Sequence, residues 1–296
     1  MTTNVLPLAA TPSLSYSTPA VTVVRRKRQF LVWLSMFWLA AILLIAIFAN
    51  LMPIANYATP IGMPRLAPGS ESLDHLLGTD SLGRSVLSRL AYGTRVSLLV
   101  GIVAGVLALV IGTLLGLLAG YYRGRLESVI MYLTDSFLAF PPLVLLLAIS
   151  AIMLPSYRTL LIGLTVVVTP TFIRLARANA LNWAAREFVT AATNLGAGRL
   201  RIAFREVLRN VIPSVLAFFP TVVAALIVAE GSLSFLGLGI PSPTPSWGGM
   251  IADGKDFLAD SPMLVAIPSI AIFLTVFALN QVGDWARGKF DVTTQD

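Results

Sequence analysis

The sequence predicts an all-α integral membrane protein with six transmembrane helices, and three observations carry that expectation. Of the 296 residues, 56% are hydrophobic and 12% are charged, about half the charge of an ordinary soluble domain. Six stretches hold the roughly 20 apolar residues needed to cross a ~30 Å hydrocarbon core. The basic residues gather beside those stretches instead of forming one soluble face. The same composition excludes whole classes of chemistry. There is no cysteine, hence no disulfide, thiolate metal site or cysteine nucleophile. The single histidine, His75, excludes a multi-histidine metal centre. A net charge of +7 is explained by membrane orientation, so nucleic acid is not an expected partner.

Residues 1–24, rich in Thr, Ser and Pro, read as a disordered cytoplasmic tail. The "RRKR" run (Arg25 to Arg28) then precedes a 23-residue apolar stretch. That length is too great for the core of a cleaved signal, so it reads as a first span. The six predicted spans are Phe30–Met52, Val96–Gly120, Val129–Leu154, Thr159–Ala178, Val211–Glu230 and Met263–Val282, within one permeating unit over 25–290. Pro170 interrupts the fourth, and Arg174 and Arg177 mark its exit. Segments 53–95 and 231–262 fall on one side, and 179–210 on the other; 291–296 form a short tail. With the N-terminus inside, fifteen of the twenty-one Lys and Arg lie on the inner side. Both termini are therefore expected in the cytoplasm. No repeat of 20 to 50 residues and no inverted pair of halves is visible.

The 179–210 loop carries a charged double helix between apolar spans. Ala184, Phe188, Ala191, Ala192 and Leu195 share one helix face, and Gly196 follows where a helix ends in a left-handed turn. A second helix repeats the spacing with Leu200, Phe204, Val207, Leu208 and Val211. Its other face stacks Arg201, Arg205 and Arg209 every fourth residue. Like charges so placed destabilise an isolated helix by a few tenths of a kcal/mol per pair. An anionic neighbour is expected, either lipid headgroups or an acidic protein surface.

The pattern of two alanines, three residues and a glycine resembles the "EAA" signature of ABC importer permeases. Ala191 and Ala192 match its alanines, Gly196 its glycine and Leu208 its later leucine. Thr190 stands where the signature has Glu, Glu206 where it has Ile and Arg209 where it has Pro. Two further stretches, "LGTDSLGRSVLSRLAYGTRVSLLVG" (Leu77 to Gly101) and "SFLGLGIPSPTPSWGGM" (Ser234 to Met250), resemble the peptide/nickel branch of that family, in particular the second of its paired membrane subunits. "YYRGRLESVIMYLTDSFLAFPPLVLLLAI" fits between them, so the resemblance spans about residues 25 to 290. It implies a multi-pass bacterial plasma-membrane subunit paired with a homologous permease, two ATP-binding subunits and an extracytoplasmic binding protein. ATP and Mg would be bound by the partners and no cofactor by this chain. Phe188, Ala191, Ala192, Leu195, Gly196, Arg201, Arg205 and Leu208 would couple to the ATP-binding subunit.

Elsewhere the residues leave alternatives open. Gly237, Gly239, Pro241 and Pro245 read as a mouth-forming segment that meets a binding protein, or as an ordinary structured loop; Trp247 suits a water–lipid boundary. Thr79, Asp80, Gly83 and Arg84 read as a polar cluster or as a surface turn with a local ion pair. Gly112, Gly116 and Gly120, four residues apart, form a small-residue stripe that admits a neighbouring helix. Asp135, Glu230 and Asp284 are expected at helix ends near an interface, leaving no charge at mid-membrane. No phosphate loop and no nucleophile–base set is present. The expected function is thus a non-enzymatic permease subunit of an ATP-driven peptide importer; a self-sufficient secondary transporter or channel is the alternative.

Overall fold

The computed structural model describes residues 23–69 and 72–291. Most of both predicted tails lies outside the described residues. Among the described residues ten α-helices follow one another: α1 (Val23–Phe48), α2 (Val86–Tyr122), α3 (Gly124–Leu138), α4 (Pro142–Ile152), α5 (Tyr157–Ala184), α6 (Glu187–Asn194), α7 (Arg199–Arg201), α8 (Leu208–Phe235), α9 (Trp247–Gly254) and α10 (Met263–Asp291). Among the described residues there is no strand, only two isolated bridges, Pro60 with Arg84 and Thr79 with Ser85. Five helices are long and apolar enough to cross a membrane, α7 and α8 counting as one, and the bent pair α3–α4 makes a sixth crossing.

Local chemistry explains where the helices depart from the apolar runs. α2 begins ten residues before the predicted Val96, because the Ser85 hydroxyl caps it by accepting the Ser88 N–H at 3.2 Å. Its 37 residues span about 55 Å. The third crossing, predicted as continuous over 129–154, is instead two helices that meet at 89°. Pro141 and Pro142 cause the break: each forces the residue before it out of the helical region, and Pro142 then supplies a preformed first turn for α4. Pro170, by contrast, sits inside α5 without ending it, and the helix runs on to Ala184. Arg95 ties α1 to α2 by donating to the Ala46 carbonyl at 2.7 Å, satisfying a group left open where α1 ends. Trp38 on α1 donates to Thr275 Oγ1 on α10 at 3.1 Å.

α5 lies along α2 at very short range. A Cβ on Gly112 would stand 2.5 Å from Phe172 Cβ, on Gly116 2.5 Å from the Ile173 carbonyl oxygen, and on Gly120 2.7 Å from that of Arg177. The seam continues into the main core, where Ala104, Ala108 and Leu117 of α2 meet Phe172 and Ala176 of α5 and Val215, Val222 and Leu226 of α8. Facing outward, α1 exposes Phe30, Trp33, Phe37 and Leu44, which suits a hydrocarbon surround. Gly116→Ala should therefore cost about 1–3 kcal/mol by overpacking, lowering the detergent-solubilised unfolding temperature. Gly288→Ala, whose added Cβ meets nothing within 4 Å, should leave that temperature unchanged or raise it.

Candidate functional site

Two polar regions occupy opposite ends of the bundle. At one end, α5 stops at Ala184 and the chain turns through Ala185 and the extended Arg186 into α6. Ala184 therefore belongs to α5 and not to the following helix, which begins three residues later than its apolar spacing suggests. α6 closes on a paired cap: the Ala197 N–H reaches the Ala192 carbonyl at 3.0 Å and the Gly196 N–H that of Thr193 at 2.9 Å. This 6→1 and 5→2 pattern needs a left-handed residue, and Gly196 supplies it at φ +82°. Nothing lies within 4 Å of a Cβ built there, so the requirement on Gly196 is backbone conformation rather than space.

α6 is seated by Val189, which is buried against a core that includes Ile202 and Val207, with Ala192 and Ala197 half-buried beside it. Phe188, Ala191 and Leu195 point away from the chain's own core, and Leu195 is 88% exposed. Phe188 stays in aromatic contact with Trp183, ring centroids 6.3 Å apart. The second helix is not regular. Its first turn, α7, runs through a π-helical stretch, Ile202–Val207, before becoming α8. The extra residue per turn in a π-turn rotates the predicted face: Val207 and Val211 are buried and Leu208 half-buried, whereas Leu200 and Phe204 are exposed. Arg201, Arg205 and Arg209 are exposed as well. The loop thus presents Leu195, Leu200 and Phe204 beside three cations, on a surface that no described residue covers. Next to it opens a cavity of about 1280 Å³, lined by Arg123, Glu127, Asn182, Arg186, Asn210 and Lys289, among others. Asp284 pairs with Arg287 on α10 at this end.

At the other end, residues 53–69 and 72–85 wind around the start of α2. Thr79, Asp80 and Arg84 are buried, which rules out the surface-turn reading. Asp80 Oδ2 accepts from Arg84 Nε at 2.6 Å and lies 3.3 Å from Arg89 Nε, while Arg89 Nη2 donates to Asp253 in the last turn of α9 at 3.0 Å. Asp80 Oδ1 also takes the Leu82 and Arg84 backbone N–H groups at 2.9 Å. Gly83 stands at φ +77°, its hypothetical Cβ 2.3 Å from the Gly62 carbonyl oxygen, so the turn tolerates no side chain. Sequence reading missed Arg89 and Asp253 because 164 residues separate them.

The 231–262 segment is equally inward. Gly237, at φ +81°, ends α8 with the same paired cap, Leu238 N–H to Leu233 and Gly237 N–H to Ser234. Gly239 passes so close to Ser234 that a Cβ would be 2.2 Å from its hydroxyl. Pro241 is exposed and Pro245 buried. Trp247 is 1% exposed, not at a water–lipid boundary: its indole donates to the Leu90 carbonyl at 3.3 Å and its backbone N–H to Ser97 Oγ at 3.2 Å. Glu230, five residues before the end of α8, is likewise fully buried. Ser97 Oγ donates to its Oε2 at 3.1 Å and Ser234 Oγ to its Oε1 at 2.8 Å. The carboxylate thereby joins α2 to α8 beside the first turn of α9.

Asp135 stands in the last turn of α3. It lies eleven residues into α3 and pairs with Arg174 of α5 at 2.7 Å, while Arg177 Nε donates to Glu127 at 2.7 Å nearer the loop end. Arg174 and Arg177 are thus ion-pair partners of α3 as well as markers of a span end.

Removing the acceptor of the buried pair should be costly. Asp80→Asn leaves two buried guanidinium groups short of a counter-charge, an expected loss of about 3–5 kcal/mol. Thermal unfolding of the purified chain would measure it, with the half-exposed Asp253→Asn expected to cost less.

Comparison with known proteins places this architecture. A family model described as "Binding-protein-dependent transport system inner membrane component" matches residues 112–292. A glutathione transport system permease protein of Escherichia coli O6:H1 (strain CFT073) is 35% identical over 267 residues, 90% of this chain and 88% of that protein. Putative peptide transport system permease proteins are similar too. That of Brucella suis biovar 1 (strain 1330) is 36% identical over 286 residues, 95% of this chain and 94% of its own. That of Brucella abortus biovar 1 (strain 9-941) is 35% identical over 257 residues, 86% of each. With a family match over more than half its length and these relatives along most of it, the chain belongs to the inner-membrane components of binding-protein-dependent transport systems and is a multi-pass permease subunit of that kind.

Proposed function

We propose that this permease subunit imports peptides or peptide-like solutes such as glutathione, driven by ATP hydrolysis in partner subunits. The relatives named for glutathione and peptide transport support the cargo class. In this reading the chain pairs with a homologous permease, two ATP-binding subunits that hold ATP and Mg, and a binding protein on the far side. Both termini and the 179–210 loop face the cytoplasm of a bacterium, in keeping with the positive-inside rule.

One observation carries the coupling role. α6 turns its Phe188, Ala191 and Leu195 away from the chain's own core, and the neighbouring turn exposes Leu200 and Phe204 among Arg201, Arg205 and Arg209. Exposed apolar side chains rimmed by charge mark an interaction surface, and a groove on an ATP-binding subunit is its occupant. α7, the π-turn and α8 run without a break from that surface to Phe235. Closure of the ATP-binding pair would thus be transmitted along one rod to the opposite end, as a rigid-body gate. There Gly237 and Pro241 lie at the surface toward the binding protein, while Gly239, Pro245 and Trp247 shape the mouth from within.

Gly196→Val tests the coupling. A β-branched residue resists φ near +80°, a cost of about 1–2 kcal/mol, and the open space around Gly196 means that nothing else is disturbed. Membrane insertion and complex assembly should persist, while uptake and binding-protein-stimulated ATP hydrolysis fall at least about fivefold. Unaltered uptake would refute the coupling role. Uptake that follows an ion gradient and ignores ATP depletion would refute the ATP-driven reading itself.

A further inference from the structure

The third crossing is broken where a membrane helix least tolerates it. Ala139, Phe140 and Pro141, between α3 and α4, are all exposed. Non-helical backbone in a bilayer is tolerated only when it is buried in protein or lines water. One turn before the break, Arg174 Nη2 donates to Asp135 Oδ1 at 2.7 Å. The pair is open: 54% and 55% of the two side chains are exposed. Asp135 is eleven residues from Gly124, and Arg174 is ten from Ala184. At ~1.5 Å per residue each lies roughly 15–17 Å along its helix from that end. Lipid is a costly surround for exposed charge on a membrane-crossing helix.

A charged face leads to this pair. Glu127, Met131 and Asp135 recur every fourth residue along α3. Glu127 lines the 1280 Å³ cavity at the loop end and pairs with Arg177, one turn of α5 from Arg174. The face of α3 that carries Glu127 and Asp135 therefore runs from that cavity to the last turn before the helix break.

We propose that Asp135 and Arg174 line the water-filled part of the transport path and form a station for solutes carrying both an ammonium and a carboxylate. The solute's ammonium meets Asp135 and its carboxylate meets Arg174. An exposed ion pair is a weak one, held here by one hydrogen bond, so it opens readily for a solute that brings the same two charges. The choice of solute rests on the peptide-import reading; the water-lined face does not.

The absence of cysteine makes the face directly testable. Tyr132, three residues before Asp135 and 73% exposed, is replaced as Tyr132→Cys in the assembled transporter, with Val110→Cys on the exposed side of α2 as reference. A charged, membrane-impermeant methanethiosulfonate should react with Tyr132→Cys about tenfold faster or more, because the reactive thiolate forms in water and not in lipid. Reaction with a lipid-soluble maleimide alone would put the face in lipid. Reaction only after the partner subunits are stripped away would put it in a subunit contact. Either result overturns the proposal.

Asp135→Asn and Arg174→Gln then test the station, with dialanine as solute. Each should lower maximal dialanine uptake about tenfold, roughly the loss of one charge-assisted hydrogen bond, while binding-protein-stimulated ATP hydrolysis persists. Unchanged uptake, or uptake and hydrolysis falling together as a structural defect would cause, overturns the station. Failure of the peptide reading looks different: the wild-type transporter imports neither dialanine nor glutathione. The station then falls with it, and entry of the charged reagent still decides whether the face lines water.

Discussion

Three glycines bring α2 and α5 so close that one added carbon at any of them would meet α5 atoms at 2.5–2.7 Å. In hydrocarbon there is little hydrophobic gain from joining two helices, so close van der Waals contact has to hold them. Only residues without a Cβ permit that approach here. The other elements take their places from this seam. α3 leaves α2 after a single residue, Arg123, and must return along the pair, which brings Glu127 and Asp135 to Arg177 and Arg174 of α5. α8 packs on the same two helices and inherits a fixed direction from one end of the bundle to the other.

The two ends satisfy their polar groups by opposite means. Around the start of α2, polar groups are buried and partnered: Asp80 pairs with two arginines, and the Glu230 carboxyl group takes hydroxyls from α2 and α8. Removing one partner of such a buried pair is strongly destabilising, because it leaves the other charge uncompensated. At the loop end, the arginines of α7 and α8 carry their charge on an open surface beside exposed leucine and phenylalanine. One end is thus closed by buried pairs, and the other is left open. The π-turn between α7 and α8 lies where these two behaviours meet.

Between the ends, the α3–α4 break and the Asp135–Arg174 pair violate what a lipid-facing helix allows. Both features lie on the face that α3 shares with the cavity, whereas the exposed side chains of α1 from Phe30 to Phe48 and of α2 are apolar, of the kind lipid accepts. The bundle therefore has distinct sides, and the polar side is the one where helices end and charges remain open.

The sequence alone determined the membrane class, the six crossings, the close-packing stripe and the left-handed stop at Gly196. Each depends on residues within about one helix length of each other, where periodicity and backbone preference suffice. Tertiary structure decided the rest. Val189, and not the predicted face, seats α6, because the identity of the buried side depends on what packs against it. Trp247 is buried rather than interfacial because Leu90 and Ser97, more than 140 residues away, receive its two N–H groups. Asp80 and Arg84 became a buried network only when Arg89 and Asp253 joined them. The apolar pattern over 129–154 reads as one continuous span; the break at Pro141 and Pro142, its 89° angle and the pairing of Asp135 with Arg174 across the fold are seen only in the tertiary structure. Local pattern specifies elements; long-range partners specify which polar groups are buried, paired or left open, because desolvation is settled only when the chain has packed.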